Sequence, residues 1–123
     1  SGCGGTGGIV PVAGATALPL IGTNYPVTLT NGRPTSPCVL LLAGARADIA
    51  IGACTLFPSL AGGISINLAT DGIGGAQVPL PLPNLTFLLG AQLWFQWAVV
   101  DPAGQLLGIA SLTNGLYAVI GAP

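Results

Sequence analysis

Glycine or proline interrupts this chain every few residues, with twenty Gly and eleven Pro among 123 positions, and no apolar stripe of helical period runs for three turns without one. A helix interior suits neither residue: Pro removes a backbone donor and clashes with the preceding turn, and Gly adds chain entropy. The intervals between breaks are rich in Val, Ile, Leu, Thr and aromatic residues, as short strands are. Disorder is excluded by composition, because a chain that is 51% hydrophobic with a net charge of -1 can bury enough surface to fold. The expected fold is all-β: an antiparallel two-sheet β-sandwich of about eight to ten short strands with no significant helix. A small closed barrel fits the same pattern.

Candidate strands cover 9–18, 25–31, 38–43, 48–51, 54–57, 63–70, 76–82, 91–100, 106–112 and 116–120. Alternation is clearest in 63–70, where Ile64, Ile66 and Leu68 oppose Ser65, Asn67 and Ala69, and in 91–100, where Leu93, Phe95, Trp97 and Val99 form one stripe. Asp71-Gly72, Asn31-Gly32 and Asn114-Gly115 carry the signal of tight hairpins, since these residues tolerate positive φ. Asp101-Pro102-Ala103-Gly104 reads as a turn with Pro at its second position. Pro79, Pro81 and Pro83 recur at period two, so every missing amide falls on one edge of that strand.

Five charged side chains occur in the whole chain, Arg33, Arg46, Asp48, Asp71 and Asp101, with no His, Lys or Glu. Nucleophilic catalysis needs a base to take the proton, most often His, and the three Asp lie in turn signatures or beside Arg46. No catalytic function, metal site or cofactor is expected, and two Arg cannot track a phosphate backbone, so nucleic acid is excluded as a partner. A surface so poor in charge lacks the repulsion that keeps monomers apart, which points to copies of itself as partner. The five charges should then sit in turns or at contact rims. Residues 82–100 are long enough to cross a bilayer, yet Pro83, Asn84, Thr86, Gly90, Gln92 and Gln96 interrupt them and no basic flank orients them. No membrane span is expected.

Three cysteines allow one intrachain bridge. A hairpin turning near Arg46 would set Cys38 opposite Cys54, which makes Cys38–Cys54 the favoured disulfide; Cys3 is then a free thiol, or bridges to Cys54 or to another subunit. Cys3 lies in a Gly-rich arm that leads into Ile9, Val10 and Val12. Residues 1–18 read as this arm and a possible donor strand, and 19–123 as the sandwich domain. Such an arm either packs on its own domain or adds as a strand to a neighbour. The absence of an initiator Met and the cysteines together suggest a secreted, extracellular or cell-surface protein. Asn84-Leu85-Thr86 fits an N-glycosylation sequon, and Thr35 and Ser36 before Pro37 suit O-glycans.

The stretches Gly52-Ala53-Cys54-Thr55-Leu56, Pro79-Leu80-Pro81-Leu82-Pro83-Asn84, LLGAQLWFQWAVVDP (88–102) and LTNGLYAVIG (112–121) together give a resemblance. The chain resembles the low-charge, Gly- and Pro-rich all-β domains of secreted planctomycete-type bacterial proteins, and is similar to subunits of helical extracellular fibrils from environmental water. That likeness implies no catalytic residues and a Cys3–Cys54 pair, with Cys38 an extra, in competition with the hairpin pairing. The expected function is a non-catalytic extracellular structural protein, a subunit of a self-assembling helical filament joined by β-strand addition and apolar contacts. The alternative is an accessory domain that anchors a secreted protein or binds carbohydrate, with Trp94 as the aromatic residue able to face a sugar.

Overall fold

The computed structural model describes residues 2–52, 54–59 and 63–122. Ten strands lie close to the expected segments: β1 (Val12–Ala15), β2 (Asn24–Thr30), β3 (Pro37–Ala43), β4 (Arg46–Ile51), β5 (Cys54–Pro58), β6 (Ile64–Ala69), β7 (Ala76–Pro81), β8 (Gln92–Val100), β9 (Ala110–Leu112) and β10 (Leu116–Val119). Helical structure among the described residues amounts to two three-residue 3-10 turns, Thr6–Gly8 and Thr86–Leu88. Among the described residues no helix is long and apolar enough to cross a membrane.

A three-stranded antiparallel sheet, β1-β2-β7, faces a five-stranded one in which β8 and β3 are central, β6 is one edge, and β10 and β9 share the other side of β8. Period-two burial supplies the core between them. Tyr25, Val27 and Leu29 of β2 meet Cys38 and Leu40 of β3 and Phe95, Trp97 and Val99 of β8. Residues 12–15 belong to this sandwich, with Ala13 in the core, so the N-terminal segment is an integral strand of its own domain. The accessible surface of 6033 Å² matches the ~6,000 Å² of a compact monomer of this mass.

β4 and β5 form a hairpin that makes a third layer on the outer face of the five-stranded sheet. It turns at Gly52, whose φ of 61° suits glycine, and not at Arg46. The favoured Cys38–Cys54 pairing is therefore overturned: β3 is flanked by β6 and β8, Cys38 stands opposite Leu68 and Val99, and no edge of β3 is left for β4. The disulfide joins Cys3 to Cys54, packed against Leu112, and Cys38 is a buried free thiol.

The expected hairpins at Asn31-Gly32, Asp71-Gly72 and Asn114-Gly115 also do not form. The first two are corners between sheets, because β2 and β7 belong to one sheet and β3 and β6 to the other. Gly74 shows why glycine is needed there: its φ is +81° and any Cβ would strike the Gly32 carbonyl, to whose residue it is hydrogen-bonded. Asn114-Gly115 joins β9 to β10, which lie end to end along β8. The turn at Asp101 forms as expected, Gly104 N–H donating to the Asp101 carbonyl (2.9 Å).

The Cys3–Cys54 bridge spans a sequence separation of 51 residues, and loops of this length stabilise a fold by about 4 kcal/mol on the chain-entropy account. Replacing both residues by Ser should lower unfolding free energy by about that amount in urea titrations. Burial pushes the Cys38 thiol pKa up, so a thiol reagent should find no reactive cysteine in native protein and one after unfolding.

Candidate assembly surface

Strand direction sorts the connections to two poles. β2, β6 and β8 end, and β3 and β7 begin, at the first; β3, β7 and β10 end, and β2 and β8 begin, at the second. The nine residues of β8 set them ~30 Å apart. Ile9, Ile73, Leu107 and Ile109 are exposed around the first pole, Ile73 at 85% and Leu107 at 75%. Leu18, Leu85, Phe87 and Leu89 are exposed around the second, Phe87 at 78% and Leu18 at 69%. Backbone bonds hold each set together: Thr35 N–H to Asp71 O and Asp101 N–H to Ile109 O at one pole, Gly22 N–H to Leu82 O and Gly90 N–H to Ile120 O at the other.

The few charges divide unevenly between these surfaces. Arg33 and Asp71 are exposed at the first pole, and the second has no charged residue in 16–23 or 82–91. Asp71 Oδ1 accepts from Ile73 and Gly75 N–H at 2.9 Å each, which holds its carboxyl below the usual range. A lowered folded-state pKa stabilises above the unfolded value, so this support is complete at neutral pH and is lost as pH falls through the lowered pKa. Arg46 and Asp48 pair on the exposed hairpin. Asp101 lies in its turn as expected, but is 1% exposed, its carboxylate accepting from Ala103 N–H (2.9 Å) and abutting Gly5.

Strand edges are the other way in which such a fold associates, and most of them are closed by the chain itself. Pro26 stands opposite Pro79; with no donor on either, this is a non-hydrogen-bonded pair, so the peptide groups of Gln77, Pro79 and Pro81 point outward. The outer edge of β7 thus lacks two of its donors. By the same parity Ala13 turns its peptide groups away from β2. The Asn114 side chain receives them: Ala13 N–H donates to Oδ1 (2.9 Å), and Nδ2 donates to Ala13 O (3.4 Å).

Gln96 treats β5 in the same manner. Phe57 N–H donates to its Oε1 (3.0 Å), and its Nε2 donates to Thr55 O and Thr113 O at 2.8 Å each. The backbone of Cys3 exchanges bonds with Leu112 and occupies β9. β4 carries a bulge between Arg46 and Ile49 with Asp48 at φ +51°. On β10, the segment around Leu20 already pairs with Gly121 and leaves Tyr117 and Val119.

β6 is different. Pro37 opposite Ala69 and the bond from Thr70 N–H to Ser36 O set its parity, so Ser65, Asn67 and Ala69 point their peptide groups outward. None of the three has a backbone partner on that side among the described residues, and the strand carries no Pro and no charge.

Ile9, Val10 and Val12 are exposed, but β1 is paired in its own domain and Cys3 is fixed by its bridge, so the arm is not splayed for donation. Ser1 lies outside the described residues. Asn84 and Thr35 are exposed, one at each pole, whereas Ser36 is 1% exposed and bonded to Thr70 and Pro34, which removes it as a glycan acceptor. Trp94 is half-buried and stacked on Tyr117 at 4.3 Å, with the Arg46 guanidinium 5.4 Å from its ring centroid and 5.6 Å from that of Phe57. Its ring belongs to a folded aromatic cluster with Tyr117, Phe57 and Arg46.

Comparison with known protein families, with curated proteins and with solved structures finds no match to this chain.

Gln96→Leu should leave Phe57 N–H, Thr55 O and Thr113 O without their partner. At ~1 kcal/mol per net hydrogen bond, and more for groups left buried and unpaired, the expected loss is about 2 to 4 kcal/mol. Chemical denaturation measures it.

Proposed function

We propose that this protein is a non-catalytic extracellular structural subunit that stacks pole to pole into a filament. The observation that carries the reading is the pair of exposed apolar poles at opposite ends of the strands. A contact between unlike surfaces is heterologous, and if its rotation does not close a ring it continues as a helix of copies. Isolated exposed hydrophobics are ordinary; clusters at both ends, one drawn from segments without charge, are what a stacking surface requires. The disulfide is compatible with an oxidising, extracellular setting.

Strand addition would not use residues 1–18 in this reading, because Cys3 is bridged to its own hairpin. Glycans at Thr35 or Asn84 would crowd a pole, so filament-forming protein should have the intact mass of the bare polypeptide.

Ile73→Asp and Phe87→Asp change exposed side chains and should leave the fold intact. Each variant alone should fail to form the filaments that negative-stain microscopy shows for the unaltered protein. Mixed together they should form pairs that stop at two copies, since each retains the pole that the other lacks. Unaltered protein that stays monomeric across a concentration series would refute the filament.

A further inference from the structure

We infer that the open edge of β6 pairs with the same edge of a second copy, antiparallel and two-fold symmetric about Asn67. This rests on the self-association reading and adds a lateral contact to it. Ser65, Asn67 and Ala69 present outward N–H and C=O groups at every second residue. A two-fold axis at Asn67 places Ser65 opposite Ala69 of the other copy and Asn67 opposite itself. Each such pair then exchanges both of its N–H···O bonds.

The alternate residues agree with this register. Ile66 falls opposite Leu68 of the second copy at the closer, non-hydrogen-bonded spacing, where apolar side chains reinforce a ladder. Both are partly buried on the core side of the sheet and gain cover from the pairing. Between Ile64 and Thr70 no charge faces its own image and no proline removes a donor.

The second copy is the fitting occupant because the other edges are closed or short: on β10, Tyr117 and Val119 alone stay open beside the paired segment around Leu20. β7 lacks donors, Asn114 caps β1, Gln96 caps β5, Cys3 covers β9, and β4 is bulged. A β6 pair would extend two five-stranded sheets into one continuous sheet. A six-residue edge buries less than the ~1,200 Å² at the lower bound of stable interfaces, so the pairing depends on concentration or on stacking at the poles.

Asn67→Cys tests the register directly. Its own Cys3 and Cys54 are bridged and Cys38 is buried, so the introduced thiol is the reactive one. It would face its copy at a Cα distance of ~5.5 Å, within disulfide reach. Under mild oxidation this variant should form disulfide-linked dimer several-fold faster than Gln77→Cys, which sits on the proline-interrupted edge of β7. Asn67→Lys, which sets like charges face to face, should lose lateral association in sedimentation.

Equal cross-linking of the two cysteine variants, or unchanged lateral association of Asn67→Lys, would overturn the β6 pairing. Filaments that persist alongside either result would leave the stacking reading standing. Efficient cross-linking of Asn67→Cys in a protein that stops at dimers would support the β6 pairing and sink the filament.

Discussion

Gln96 is wholly buried between the five-stranded sheet and the hairpin, and its side-chain amide bonds two positions of β5 and the carbonyl of Thr113. The third layer depends on that junction. Without it, β5 would present unpaired peptide groups to an apolar sheet face, at the full desolvation cost of each. Asn114 performs the same task for β1, and Thr113 bridges the gap between β9 and β10 by accepting Trp97 N–H at its hydroxyl (2.9 Å). A chain with five charges closes its edges with neutral side chains, and among the described residues Trp97 Nε1 is the buried side-chain atom left without a partner.

These closures give meaning to what remains open. Native sheets blunt their edges with proline, charge, bulges or cover, and every one of those devices except charge repulsion recurs here. β6 has none, and the two poles keep large apolar side chains in water. The low charge that leaves few groups for acid–base chemistry also removes the ordinary means of staying apart from other copies. Stacking at the poles and pairing at β6 run in different directions, so together they would join copies both along and across a fibre.

Much of this architecture was legible in the sequence. Gly and Pro mark where strands stop, and period-two alternation marks which face is buried, which is why all ten segments and the Leu93-to-Val99 stripe are recovered. What joins to what is less accessible. Asn31-Gly32 and Asp71-Gly72 supply positive φ to any reversal, and nothing local says whether the next strand pairs or crosses to the other sheet. The Cys38–Cys54 expectation failed for that reason: the hairpin turns at Gly52, one hairpin later than assumed, and β3 is central. Gln96 offered a signal that could have been read, an uncharged amide on the second face of a strand whose first face is fully apolar. Asp101 offered none, since a turn signature does not reveal that Gly5 will abut its carboxylate.

Amide hydrogen exchange, resolved by residue in dilute and in concentrated protein, tests the edge account most directly. In dilute protein the N–H groups of Ala13 and Phe57 should be protected by their side-chain acceptors, while those of Ser65, Asn67 and Ala69 exchange freely; on concentration the β6 amides should become protected. Ala13 and Phe57 exchanging as fast as Asn67 in dilute protein, or β6 amides that stay unprotected in the assembled state, would contradict it.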